Sequence, residues 1–136
     1  MPITCSFDLE RKLVIARATG MLTGEDVAGY QAEVWARPDV AGFDELIDMS
    51  GAAGVALANP AEMRQVAARA AAMDVPTVKP KLAIVAPQDS VYGLARMYEA
   101  YRNMSGGGGK TVAVFRTLEE GLEFLGLTDL PEEPHA

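Results

Sequence analysis

"LAIVAPQDSVYGLARMYEAY", residues 82–101, passes from an unbroken apolar run into a helical pattern, and its reading decides the fold. Leu82–Ala86 contains no polar residue, as expected of a central strand covered on both faces. From about Ser90 to Met104 apolar side chains recur at three- and four-residue spacing, which predicts a helix. A strand followed at once by a helix is the repeating unit of a largely parallel sheet.

Working towards the N-terminus, Asn59-Pro60-Ala61-Glu62 carries a capping amide, proline at the first helical position and an acid three residues on. Met63, Val66, Ala67, Ala70 and Ala71 form the buried stripe of the helix it opens. Before it, Asp44–Met49 is a short strand. Thr23 followed by Glu25 and Asp26 starts an earlier helix, with Val27, Tyr30 and Val34 on one face, Trp35 beside them and Pro38 as the stop. Ile3, Cys5 and Phe7 alternate with polar residues, and Leu13–Thr19 gives the hairpin partner of that first strand.

Towards the C-terminus, Val112–Phe115 is a fifth strand. Thr117-Leu118-Glu119-Glu120 opens a last helix as a capping box, with Leu118, Leu122 and Leu125 on one face and Gly126 as its stop. The order is ββαβαβαβα, an α/β fold with a mixed sheet of about five strands and helices packed against it. One domain spans residues 1–127, and 128–136 ("TDLPEEPHA") is a flexible acidic tail.

A chain of 136 residues buries roughly 65–70% of its unfolded surface without a staple. Cys5 is the one cysteine, which suits a reducing compartment, and the chain goes straight from Met1-Pro2-Ile3 into a strand, so no leader and a cytoplasmic location are expected. No apolar run approaches the ~20 residues of a membrane span. The net charge is -7, from 19 acidic and 12 basic side chains with no basic cluster, which argues against a nucleic-acid partner.

Catalytic equipment is sparse. The lone histidine, His135, lies in the tail, where nothing orients it as a base. Cys5 reads as a small buried hydrophobe, and a zinc site lacks ligands. The carboxyl ends of the strands bring Asp48, Ser50, Asp89 and Ser90 to one rim, where two acids could bind a cation or act as acid and base. The simpler reading is that Asp48 closes a turn and Asp89 or Ser90 caps a helix.

On the helix 90–104, Val91, Leu94, Ala95 and Tyr98 form the core stripe, with Met97, Tyr101 and Met104 on one flank. Together they span an apolar arc of roughly 180°, wider than the ~100° of an ordinary surface helix. Arg102 falls inside the arc near the helix end, where its stem packs and its charge reaches water. Met97, Tyr101 and Met104, with Tyr92, are candidates for a homodimer interface or a pocket.

"SGGGGKT", residues 105–111, resembles a phosphate loop only superficially. Counting back from Gly109-Lys110-Thr111, the first glycine of that pattern should stand at 104, which is Met104. The stretch also leads out of a helix into a strand, the reverse of a phosphate loop. Its glycines serve as a helix end and a loose connector, and no nucleotide or other cofactor is expected.

"GFDELIDMSG" at 42–51, "LAIVAPQDSVYGLARMYEAY" at 82–101 and "VAVFRTLEEGLEFLG" at 112–126 resemble the bacterial SpoIIAA-like family, which shares the fold of STAS domains. The resemblance covers nearly the whole chain and implies a five-stranded sheet, no enzymatic activity and a regulatory type of module. Better-understood STAS regulators carry a phosphorylated serine at the start of the helix after strand three. Ala52–Asn59 ("AAGVALAN") has neither Ser nor Thr, so that switch is not carried over. What remains is a non-enzymatic module acting through protein–protein contact, as a homodimer or with another protein partner. The alternative is a carrier for a small apolar ligand, since the fold class includes lipid-binding relatives; an enzyme built on Asp48 and Asp89 stands behind both.

Overall fold

A computed structural model describes residues 2–57, 59–75, 78–104 and 109–130. The glycine connector 105–108, most of the acidic tail and His135 lie outside the described residues. Strand β1 (Ile3–Asp8) pairs antiparallel with β2 (Leu13–Thr23), and β3 (Asp44–Ala56), β4 (Lys81–Val85) and β5 (Thr111–Phe115) follow in parallel. The strands lie side by side in chain order. Helix α1 (Gly24–Tyr30) joins β2 to β3, α2 (Pro60–Ala72) joins β3 to β4, α3 (Asp89–Met104) joins β4 to β5, and α4 (Leu118–Phe124) ends the fold.

This order decides which face each helix covers. Crossovers between parallel strands are right-handed, so three of them stepping in one direction place their helices on one side of the sheet. Ala18, Leu22, Met49, Leu82 and Ile84 on that face pack with Met63, Val66 and Ala70 of α2 and Val91, Ala95 and Tyr98 of α3. Val14 and Ala16 meet Tyr30 and Val34 of the α1 segment. Among the described residues no strand follows α4, and it covers the opposite face, setting Leu122 and Leu125 against Leu13, Ile15, Leu46, Ala83 and Val85.

The helix starts follow their capping residues. Thr23 and Asp26 form a reciprocal capping box at α1, and the Asn59 side chain accepts the Glu62 N–H at α2. At α4 the Thr117 hydroxyl accepts the Glu120 N–H but donates to the Glu120 carboxylate, so only half of the expected box forms. Gly126, at φ 76°, ends α4 with two return hydrogen bonds, Gly126 N–H to Glu123 O and Leu127 N–H to Leu122 O.

Several expectations are corrected. The helix begun at Thr23 does not continue as α-helix to Pro38: it passes into a π-helical turn at Gln31–Trp35, which widens the coil and turns Gln31, Val34 and Trp35 inward together. Strand β3 extends well past Met49, its far half pairing with the end of β2 from Thr19–Gly51 to Thr23–Ala56. Cys5 is exposed rather than buried, because β1 is the outer strand of the sheet. Leu118 is exposed while Leu122 and Leu125 are buried. Arg102 does not reach water: it is 6% exposed and sits in the core.

Two glycines give opposite expectations. A Cβ on Gly109 would overlap the carbonyl oxygens of Val75 and Val78, so Gly109→Ala is expected to cost about 1–3 kcal/mol. Gly93 lies within α3 facing open space, and Gly93→Ala should add about 1 kcal/mol of helix stability. Urea unfolding midpoints of the two variants should move in opposite directions from that of the parent.

Candidate functional site

The face covered by α1, α2 and α3 holds a partly open apolar cavity of about 100 Å³. Ala18, Leu22, Met49 and Ile84 form its floor, and Val27, Met63, Val66 and Leu94 are among its walls. Three helices laid on one face meet only along their flanks, and the small side chains of Ala18 and Ala95 leave room where larger ones would close the gap. Tyr30, Trp35 and Tyr98 supply the ring faces of its lining.

The polar ends of two of these rings, Tyr30 and Trp35, lead to Glu45. Its register on β3, two residues before Ile47 and four before Met49, turns it onto the helix-covered face, where it is 1% exposed. The Tyr30 hydroxyl donates to Glu45 Oε2, and Trp35 Nε1 donates at 3.0 and 3.1 Å to the two carboxylate oxygens. Lys110 Nζ completes the set at 3.4 Å from Oε1 while lying 3.5 Å over the Trp35 ring. A buried carboxylate needs such donors, since an uncompensated charge in low dielectric costs several kcal/mol.

A second buried pair stands beside the first. Arg102 Nη2 meets Asp74 Oδ1 and Oδ2 at 3.0 and 2.9 Å, and the Lys110 N–H points to Asp74 Oδ2 at 3.4 Å. Here Gly109 has its use: without a Cβ it presses onto the carbonyl oxygens of Val75 and Val78 and delivers Lys110 to both acids. Glu45, Asp74 and Lys110 line a second cavity of about 100 Å³ whose other walls include Val14, Val34, Val40 and Val78. Trp35 lines both cavities.

The residues picked out from sequence lie elsewhere. From α3 the cavity takes Val91, Leu94, Ala95 and Tyr98, the core stripe. Tyr92 and Tyr101 pack at the margin of the core, with Arg116 over the Tyr92 ring and Arg64 over the Tyr101 ring. Met97 and Met104 point outward, 37% and 77% exposed. On the rim, Asp48 Oδ1 accepts the Ser50 N–H at 2.9 Å, but both residues lie within β3, where the register against β2 shifts, so the turn expected there does not form. Asp89 starts α3 and pairs with Arg116, and Ser50 and Ser90 are exposed. Asp48 and Asp89 are thus each engaged with a partner of their own. Among the described residues no group of three or more His, Cys, Asp or Glu could hold a metal ion, and no helix is long and apolar enough to cross a membrane.

In the sequence Tyr30 and Trp35 stand out only as part of a helix's inward face and Lys110 only within a rejected phosphate loop, and Glu45 is not singled out. Its one signal was available: "DELIDM" places an acid in phase with Ile47 and Met49, and an acid at an inward position requires a partner.

Burial, reinforced by the negative charge of Glu45, pushes the Tyr30 phenol far above its usual range. Tyr98 rises as well, through burial opposed by the nearby Arg102 charge, and burial lowers Lys110 against the attraction of Glu45. A tyrosine whose folded pKa exceeds its unfolded value stabilises fully below about pH 10 and less as pH rises beyond that. Tyr30 and Tyr98 should therefore ionise only as the chain unfolds. Absorbance at 295 nm during alkaline titration should show a late component coincident with loss of far-ultraviolet dichroism. That component should shrink by half in Tyr98→Phe.

No family model matches the chain, and no curated protein matches it. Among solved structures it is similar to an uncharacterized protein of the DUF3478 family with a SpoIIAA-like fold from Shewanella loihica PV-4. The two share 17% sequence identity at a TM-score of 0.55, over 90% of this chain and 93% of that one. Five strands in chain order, three helices on one face and a fourth on the other are thus the SpoIIAA-like fold, and this chain has it.

Proposed function

We propose that the chain is a non-enzymatic binding module whose ligand is a small apolar molecule held between the sheet and helices α1, α2 and α3. The cavity carries this reading: about 100 Å³ of space bounded almost wholly by aliphatic and aromatic side chains from four strands and three helices. It is smaller than the ~150 Å³ apolar cavity that takes up benzene in an engineered protein, so a larger occupant requires the helices to part. The separate engagement of Asp48 with the Ser50 N–H and of Asp89 with Arg116 supports the non-enzymatic reading.

Freshly purified protein is expected to carry a co-purifying apolar compound in native mass spectrometry, or to take up an environment-sensitive apolar dye. Val66→Phe fills the cavity from α2 and should weaken dye binding by about tenfold or more, whereas Arg96→Ala on the outer face of α3 should leave it unchanged. Equal binding by parent and Val66→Phe would place the dye elsewhere and remove this reading.

A second reading, contact with another copy or another protein, is favoured by the exposure of Met97 and Met104 on one helix. Light scattering behind size exclusion should then show a dimer that Met97→Glu/Met104→Glu dissociates. A strict monomer at millimolar concentration excludes self-association through this face.

A further inference from the structure

The two cavities meet at one side chain. Trp35 lines both, and the Tyr30–Glu45 hydrogen bond also crosses the boundary between them. On one side the lining is apolar, and on the other the same indole faces Glu45 and Lys110. Each cavity alone has about 100 Å³, too little for more than a very small molecule. Trp35 is only partly buried and sits at the end of the π-helical turn Gln31–Trp35, an irregularity of a kind frequent at functional sites.

The geometry points to a single elongated site with Trp35 as its movable partition, occupied by an amphiphile whose hydrocarbon chain lies in the apolar cavity and whose small uncharged head sits between Glu45 and Lys110. This rests on the apolar-ligand reading above and adds the class of head group.

The head group follows from what the indole would leave behind. When Trp35 moves, Glu45 loses the donor at 3.0 and 3.1 Å, and Lys110 loses the ring 3.5 Å beneath its ammonium. A hydroxyl or primary amide replaces both at once, donating to the carboxylate and accepting from the ammonium. A carboxylate head would meet the buried charge of Glu45, and an ammonium head that of Lys110, each a like-charge contact in low dielectric. The remaining acid on the second cavity, Asp74, is already held by Arg102. Selection thus works by rejecting charged heads as well as by pairing a neutral one.

The test titrates the full chain with four probes of equal chain length: 1-octanol, its methyl ether, octanoate and octylammonium. Affinity is read by calorimetry and the state of the partition by emission of Trp35, the chain's one tryptophan. The expected result is 1-octanol binding about tenfold more tightly than each of the others, the change one hydrogen bond to a charged group produces. Its binding should red-shift the emission as the indole turns to water. In Glu45→Met, which removes the acceptor that only the hydroxyl can reach, the preference for 1-octanol over the ether should fall below about threefold. Should that variant not fold, the head-group series and emission shift of the parent decide alone. Equal binding of the four probes with unchanged emission overturns the spanning site and leaves the apolar cavity standing. Tightest binding by octanoate overturns the neutral head. No binding by any probe removes the apolar-ligand reading and this proposal with it.

Discussion

A carboxylate shut away from water between a sheet and three helices has to draw its hydrogen bonds from whatever the chain brings near it. Glu45 draws them from distant parts of the sequence: Tyr30 and Trp35 of the first helical segment, and Lys110 at the entrance to β5. These contacts tie the first crossover and the last strand to the middle of the sheet. They also fix details that otherwise look arbitrary. The π-helical turn lets Tyr30, Val34 and Trp35 face inward within a single segment. The glycine before Lys110 lets the backbone press against the carbonyls of Val75 and Val78, so that the ammonium reaches the acid. A buried ion pair of this kind is weak evidence for net stability; its value lies in specifying one arrangement, because leaving either partner alone is expensive.

The second consequence of the architecture is its asymmetry. A sheet whose strands run in chain order receives its crossover helices on one face, and the closing helix is left to cover the other. One helix against a flat face packs tightly, as Gly121 against Val85 and Leu46 shows. Three helices side by side leave seams, and small residues such as Ala18 and Ala95 leave the seam open. The space is therefore a product of winding direction together with residue size, and the polar wall at its end is a product of Glu45.

Legibility in the sequence tracked the range of the interactions involved. Thr23, Asn59 and Gly126 act within one helical turn, and each could be read where it stands. The core stripe of α3 was equally plain, since Val91, Ala95 and Tyr98 recur with the helical period. Arg102 defeated the same reasoning. Periodicity placed it on an inward arc, but its burial depends on Asp74, 28 residues earlier, whose carboxylate waits beside it. Cys5 failed for the converse reason: alternation marked it as inward, but an edge strand has little to cover it.

The sequence by itself determined the order of elements, their caps and the period of each buried stripe, because those depend on neighbours within a few positions. It also determined the absence of a hydroxyl between Ala52 and Asn59. Only the tertiary structure decided that Glu45, Trp35 and Lys110 meet, that Trp35 stands between two cavities, and that the wide arc of α3 divides into a buried stripe and the outward Met97 and Met104. The physical reason is sequence distance. Lys110 and Glu45 lie 65 residues apart, and no local rule of period or capping reaches across that separation. Their encounter follows from the register between parallel strands, which long-range packing sets once the whole sheet is assembled.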